Sequence, residues 1–508
     1  MQKWRGLLGM GALIGVTAGG GTSACRSETD CAATGLCASP PADGDGGAGG
    51  GPDGEVPDAA KPADCDDKAD PASDAAKGCV VDSFALFVDG DAGDDANDGS
   101  KAKPFKRIAT AIAKVGSTGK RRIYVCGSGT YAEHLKITTA ANLHGGFACS
   151  TWAVDTAAKP KVAPSDPGYA LHIDDVSAAV TISDLELLAA DAGSREDGTS
   201  SIAVFANKAN VTFLRAALRA SNGAQGAPGA RGEKGVVTSA GGLDGNPANG
   251  AMGGALKECT CSSSTTVTRG GVGGSTGSGG GNGEPNYGAP PPQNGAAGLP
   301  GGGSCSGDSL GKNGADAPPA ADADPVTTLG TLSADGWVPT KGADGPENGK
   351  PGQGGGGGGA RDSAIGGSGG GCGGCGGFAG KGSGGGGASI ALLAHESSVT
   401  LTASRLEAKS AGAGGTAGAG GQGEPGGGAG ITGLCSGGNG GRGADGGAGS
   451  GGAGGVSAGI LYKGTEPTLD AETTIVTGKE GAGGKGGKSP DNDGPNGVAG
   501  KTLDVAKL

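Results

Sequence analysis

Aromatic residues are scarce in this chain, with 7 Phe, 5 Tyr and 3 Trp among 508 residues, and 119 glycines add almost nothing that can be buried. A set of several large cores is therefore excluded. Positive charge is also short: 39 Lys and Arg face 51 Asp and Glu, a net charge of −12. Nucleic acid needs a basic groove, so it is excluded as a partner. Much of the acidity lies in residues 43–74 and says little about the body. No long hydrophobic run is present; the apolar stretch 6–18 is too short and too glycine-rich for a membrane span. The apolar residues that can fold are gathered in 84–218, 390–406 and 460–476. One core of moderate size, decorated with loops, is what these allow.

What is present is a repeat. Val180-Thr181-Ile182 with Leu187 matches Val211-Thr212-Phe213 with Leu218, thirty-one residues on and without a gap. Upstream, Ala170-Leu171-His172-Ile173 and Ser201-Ile202-Ala203-Val204-Phe205 are expected to keep that register. A third copy follows in Ser389-Ile390-Ala391-Leu392-Leu393, Val399-Thr400-Leu401 and Leu406, and a looser fourth in Ile460-Leu461-Tyr462, Thr468-Leu469 and Ile475. Short β-rich segments that recur in this way, none able to bury its apolar face alone, predict an all-β solenoid with about three strands per turn and stacked coils. Five to seven coils would suffice, each buried Ile, Val, Leu or Phe contributing roughly 1.5–3 kcal/mol. The segments between copies, 191–199, 222–387, 411–455 and 478–497, all leave from one corner.

The first residues read as an export signal: Lys3 and Arg5, the apolar 6–18, then small residues up to Thr22-Ser23-Ala24-Cys25. Small residues running into a cysteine resemble the lipobox of bacterial lipoproteins. That resemblance implies lipidation of Cys25 and, with Arg26 rather than Asp behind it, an outer-membrane or cell-surface location. The alternative is cleavage after Ala24 and secretion. Thirteen cysteines in an exported chain imply disulfides. Twelve remain beyond Cys25: Cys31, Cys37, Cys65, Cys79, Cys126, Cys149, Cys259, Cys261, Cys305, Cys372, Cys375 and Cys435. Cys65 and Cys79 are expected to close one loop, and Cys126 with Cys149 to brace the first coils. Residues 39–77, built from Asp, Ala, Pro and Gly, are expected to form a flexible tether.

The body opens with the strand pattern Phe84-Ala85-Leu86-Phe87-Val88. Next come Gly93-Asp94-Asp95-Ala96-Asn97-Asp98-Gly99-Ser100, Pro104-Phe105-Lys106-Arg107-Ile108, Ile123-Tyr124-Val125 and Gly129-Thr130-Tyr131. This order resembles the opening of right-handed parallel β-helix proteins of the pectin-lyase-like type, and covers residues 84–146. It implies a right-handed parallel β-helix with a short capping helix. The residues agree: Phe105, Ile108 and Ile112 make one apolar stripe, Lys106, Arg107 and Lys114 face water, and Pro104 suits a first helical turn. The helix is expected to lie over the first coil. Asp89, Asp91, Asp94, Asp95 and Asp98 are weak calcium candidates, since oxygen ligands crowd this turn. Asp/Asn/Gly runs also form turns by bonding their own backbone.

Glycine recurs at every third position through 223–235, 271–283, 412–421 and 437–455. Such tracts have one bare edge in an extended helix with three residues per turn. They resemble the glycine-rich regions of the PE-PGRS surface proteins. Partial order is expected, as a polyglycine-type bundle in which backbones exchange hydrogen bonds, with the six cysteines from Cys259 onward as staples. Packing against another copy of the chain is left open. Cys372-Gly373-Gly374-Cys375 could instead be a zinc or redox motif.

The expected organisation is a signal peptide (1–24), a lipid-anchored, cysteine-containing acidic tether (25–78), a cap with the first coils (79–221), a glycine-rich insertion (222–387), a coil (388–410), a second insertion (411–455), and a last coil with a tail (456–508). Asp174, Asp175 and Asp184 are the acids placed on neighbouring turns, and Arg215, Arg219 and Arg405 the bases. They lack the patterns of β-helix lyases or hydrolases and are expected to be solvated strand faces. His134, His144, His172 and His395 are scattered. The sequence thus predicts a non-catalytic surface protein, structural, adhesive or weakly polysaccharide-binding along its strand faces. It implies no cofactor; the partners it allows are the membrane, polysaccharide or matrix components, and a second copy of the chain. A carbohydrate-active enzyme on the same fold is the alternative.

Overall fold

The computed structural model describes residues 64–508, apart from 68, 76–77, 158, 288–293, 301–304, 306, 361–364 and 434. The expectations for residues 1–63, including Cys25, Cys31 and Cys37, lie outside the described residues. The fold is mostly β, with parallel sheets and few helices. Helix α1 (Pro71–Ala75) precedes strand β1 (Ala85–Val88), and α2 (Ile108–Thr118) follows it. The chain then runs through β2 (Arg122–Cys126), β3 (Thr130–Tyr131) and β4 (Leu135–Ile137), then β5 (Asn142–Phe147), β6 (Lys161–Val162) and β7 (Leu171–Asp174). Next come β8 (Val180–Ser183), β9 (Glu186–Leu188) and β10 (Ser201–Asn207), then β11 (Asn210–Leu214) and β12 (Ala217–Arg219). Two hairpins interrupt: β13 (Lys257–Cys261) with β14 (Ser264–Gly270), and β15 (Gly330–Ser333) with β16 (Gly336–Pro339). The rotation resumes with β17 (Ser389–His395), β18 (Ser398–Thr402), β19 (Arg405–Glu407), β20 (Ser457–Lys463), β21 (Thr468–Leu469), β22 (Thr474–Val476) and β23 (Thr502–Lys507).

Outside the hairpins, successive strands from β2 onward visit three sheets in a fixed order. Sheet I is β1-β2-β5-β8-β11-β18-β21, sheet II is β4-β7-β10-β17-β20-β23, and sheet III is β3-β6-β9-β12-β19-β22. Every pairing within them is parallel, and the sequence repeats sit on one another: Val180, Val211 and Val399 pair in register, as do Leu187, Leu218 and Leu406. Strands pleat, so Val211 and Phe213 point into the core while Thr212 points out. One apolar cluster runs from Leu86 and Ile108 through Ile137, Ile182 and Phe213 to Ile460. Corners are turned by single left-handed residues, Asp175, Lys208 and Glu396 between sheets II and I, and Asp184, Arg215 and Ala403 between I and III.

In one strand pair the register departs from the expected thirty-one residues. Leu171 pairs with Val204, not Ile202. The turn from β7 to β8 is longer than that from β10 to β11, and an offset of two keeps each side chain on its own side of the sheet. Helix α2 covers the first strands, burying Ile108, Ala111, Ile112 and Val115. Pro104 and Phe105 precede it and are buried, so Pro104 is not in its first turn. The helix starts where it does because the Glu133 carboxylate accepts the N–H groups of Ile108 and Ala109, each at 3.0 Å.

Two further features were not expected. The described residues of 64–78, assigned to the tether, pack on sheet I: Cys65 bonds Cys79, Arg122 donates to the Ala69 carbonyl, and Asn142 donates to Asp67 O at 2.9 Å. The hairpin β15–β16, within the first insertion, covers the outside of sheet II, where Leu332 and Trp337 pack on Ile202, Phe205, Ile390, Leu393 and Leu461. This explains why β10 and β17 are apolar at almost every position.

Candidate functional site

The long connections, 189–200, 220–388, 408–456 and 477–501, all lead from sheet III to sheet II. They stand side by side and join through backbone hydrogen bonds at a three-residue period. Gly226, Gly229 and Gly232 donate to Ala413, Thr416 and Ala419, a parallel pair. Gly440, Gly443, Gly446 and Gly449 donate to Gly427, Glu424, Gly421 and Gly418, an antiparallel pair. Tract 436–455 exchanges such bonds with six neighbours: 311–323, 340–356, 371–387, 412–427, 481–487 and 495–500. Six neighbours around one extended rod is hexagonal packing, and mixed directions rule out a collagen-like triple helix.

Glycine is required because the rods touch. A Cβ on Gly412 would stand 1.7 Å from the Ala224 carbonyl oxygen, and one on Gly446 2.1 Å from that of Phe378. At the rim the same period carries side chains outward: Gln225, Pro228, Arg231 and Lys234 are exposed, and so are Lys479, Ala482, Lys485 and Lys488. Prolines and charges there end the lattice as they blunt the edge of a sheet. Ordering a backbone costs about 1–2 kcal/mol per residue, and a hydrogen bond returns a net 0.5–1.5 kcal/mol or so. Covalent staples therefore matter. Cys259 bonds Cys372, Cys261 bonds Cys375, and Cys305 bonds Cys435, which links the first insertion to the second. Cys372 and Cys375 thus serve two different bridges and offer neither a dithiol nor a zinc quartet. A fifth bridge joins Cys126 to Cys149.

Of the five acids in 89–98, three cap turns, Asp95 holds an arginine, and Asp91 is exposed. Asp89 accepts the N–H groups of Asp91 and Ala92, Asp94 that of Ala96, Asp98 that of Ser100, and Asp95 holds Arg107. Gly93 and Gly99 let this loop close on Phe105, whose ring lies 2.3 Å from where a Cβ on Gly99 would stand. Among the described residues, one grouping has metal-ligand spacing, Asp89 with Cys126 and Cys149, and its sulfurs are in a disulfide.

Of the groups expected on solvated strand faces, Asp184 is buried, and so are two of the scattered histidines. Asp184 is buried and receives Arg215 at 2.7 and 2.8 Å, while the same guanidinium meets both oxygens of Asp70 at 2.9 Å. Arg215 sits at a left-handed corner, φ +49°, and its guanidinium joins the corner of the preceding coil to the segment that holds Asp70. Burial opposes the charge of Asp70, but hydrogen bonds from Arg215 and the Ala72 N–H outweigh it and hold the carboxyl below the usual range. His144 is fully buried, with Nδ1 2.8 Å from Ser183 Oγ and Nε2 near Arg122 Nε. Burial, then the charges of Arg122 and Arg215, push its pKa well below the ordinary value, so it is neutral. His395 is buried against Asn207 at 2.8 Å. Arg219 and Arg405 join a ladder on sheet III with Glu186 and Glu407. Asp174 is tied to Asn207 and Lys136, and Asp175 is exposed at its corner. These partners stabilise the outer faces, and none of these side chains lines the cleft beside β16.

One open cleft, of about 380 Å³, lies between β16 and the strand that follows the 189–200 connection. Pro167, Tyr169, Thr199, Ser200, Ile202 and Trp337 line it. No family model, curated protein or solved structure matches this chain. Sequence reasoning missed Trp337 and Tyr169. The available signal was a lone tryptophan inside a segment read as glycine filler.

Proposed function

We propose that the chain is an exported, lipid-anchored surface protein, non-catalytic and structural or adhesive, whose body is a right-handed parallel β-helix with a capping helix. On this reading each rotation through the three sheets is one coil, and the four connections form a single appendage along one edge. The observation that carries it is the hexagonal glycine lattice with its three disulfides. A regular slab held by backbone bonds and covalent staples suits display and load-bearing, and its small side chains suit weak contact with polysaccharide or matrix. Per-repeat insertions gathered on one side are where a solenoid meets its partners. The acids and bases paired off on the outer faces count against a hydrolase or lyase, which needs free carboxylates or a free proton acceptor beside its substrate.

The anchor is tested by fatty-acid labelling and fractionation of the exported chain. Label and membrane association should both vanish in Cys25→Ser; a protein released without label would overturn the anchor. A polysaccharide panel with a product assay tests the rest. Retention without cleavage is the expected result, and release of oligosaccharide would establish the enzymatic alternative.

A further inference from the structure

We propose that the cleft between β16 and residues 198–202 is a binding site for one neutral sugar ring of a glycan. This goes beyond recognition along strand faces, because the cleft is a discrete pocket outside sheet II. Its walls are apolar, from Pro167, Ile202, Pro339 and the indole of Trp337, and its rim carries the hydroxyls of Tyr169, Thr199 and Ser200. A pyranose has the matching surface, apolar C–H faces edged by hydroxyls.

The walls of the cleft are held in place by their own packing. Trp337 is 8% exposed and fixed on the hairpin, its indole lying over Gly330, where a Cβ would stand 2.3 Å from the ring. Tyr169 is held in place by the rings of Phe205 and His172, at 5.1 and 5.5 Å. Gly336, at φ +105°, lets its hydroxyl approach the hairpin; a Cβ there would stand 2.0 Å from that oxygen. Ser200 Oγ accepts the Ala388 N–H at 2.9 Å and keeps its own proton to donate.

Charge selects the class of sugar. No cation lines the cleft. Asp197, two residues from Thr199, is held ionised by Thr199 and Arg195, its pKa pushed down to about 2, and Arg195 is engaged by it at 2.8 Å. Asp335 is close enough to raise the Tyr169 pKa further, after burial. Uronates, sulfated sugars and phosphates would find no cation among the residues that line the cleft. The volume lies at the small end of ligand clefts, which run roughly 300–1,000 Å³.

The test uses the full exported, oxidised protein and saturation-transfer NMR with four neutral disaccharides (cellobiose, maltose, galactobiose and N,N′-diacetylchitobiose) and digalacturonate. At least one neutral disaccharide should bind saturably and digalacturonate should not. Affinity should fall tenfold or more in Trp337→Phe, and by a smaller factor in Tyr169→Phe, which removes only a hydroxyl and guards against misfolding of the first variant. Absence of saturable binding by all four, preference for digalacturonate, or binding unchanged in both variants would each overturn the proposal. In that last case the protein still binds glycan elsewhere, so surface recognition would stand while the cleft assignment fell.

Discussion

Replacing Gly446 by alanine isolates the physics of the lattice. Its Cβ would lie 2.1 Å from the Phe378 carbonyl oxygen and 2.4 Å from the carbonyl carbon, so tracts 436–455 and 371–387 must separate by about 1 Å or more locally to reach ordinary contact. The bonds spanning that contact, from Gly377 to Ala444 at 3.0 Å and from Gly380 to Gly447 at 2.9 Å, would stretch beyond use. Each buried group left unpaired costs about 1–3 kcal/mol, while alanine in place of glycine recovers about 0.4–1 kcal/mol from the unfolded chain. With one unpaired donor from each of the two bonds, a net loss of about 1–6 kcal/mol follows. Thr416→Ala, at an exposed position of the same period, should change stability by no more than about 0.5 kcal/mol. Hydrogen exchange by mass spectrometry reads the difference, because damage in a repeat array stays near its origin. Protection should fall in 374–383 and 441–450 and hold in 201–219. If Gly446→Ala is silent or stabilising, and the tracts exchange at the rate of free chain in the wild type, the lattice reading fails.

His144 gives a pH test. Being neutral when folded and protonatable near pH 6.5 when unfolded, it favours the folded state fully above that value and progressively less below it, by up to about 1.4 kcal/mol per pH unit. Denaturant titrations between pH 7.5 and 5 should show this slope in the wild type and lose it in His144→Asn. Asp70, whose pKa is depressed, acts in the same direction at lower pH: the docked 64–79 segment should loosen as pH falls below about 4, visible as proteolysis between residues 64 and 79, and Asp70→Asn should be loose at every pH. Removing the Cys305–Cys435 bridge, which closes 130 residues, should destabilise by about 3–5 kcal/mol. Removing one of the adjacent Cys259–Cys372 and Cys261–Cys375 bridges should cost much less than removing both, since either already closes nearly the same loop. Unfolding of the four single and double serine variants checks this.

Stacked β segments were legible because burial imposes a period of two on each short strand and gapless copies fix the pairing. Val211 over Val180 and Leu406 over Leu218 follow from nothing else. The glycine period was legible for a related reason, since contact between backbones forbids side chains at one position in three. What escaped was information held by partners far apart in sequence. Asp70 looks like tether until Arg215, 145 residues away, is placed beside it. Ile202 and Phe205 look like exposed alternates until Trp337 arrives to cover them. β23 was read as tail, although Leu503 and Val505 show strand alternation, because charged neighbours diluted the signal. Cysteine pairing was open for the same reason: spacing along the chain does not say which tracts become neighbours.

A lattice of this kind has a reading frame. Where tracts are surrounded, gain or loss of a single residue would turn every later side chain by a third of a revolution, from open rim into a wall of carbonyl oxygens. The one slip visible in tract 340–356 shows the way around. Its contacts step by three from Gly349 to Gly352 and Gly355, but by four from Gly345 to Gly349, and the extra residue is absorbed where Pro346, Glu347 and Asn348 lie exposed. Length variation in these segments should therefore come in threes, or be confined to stretches that reach water.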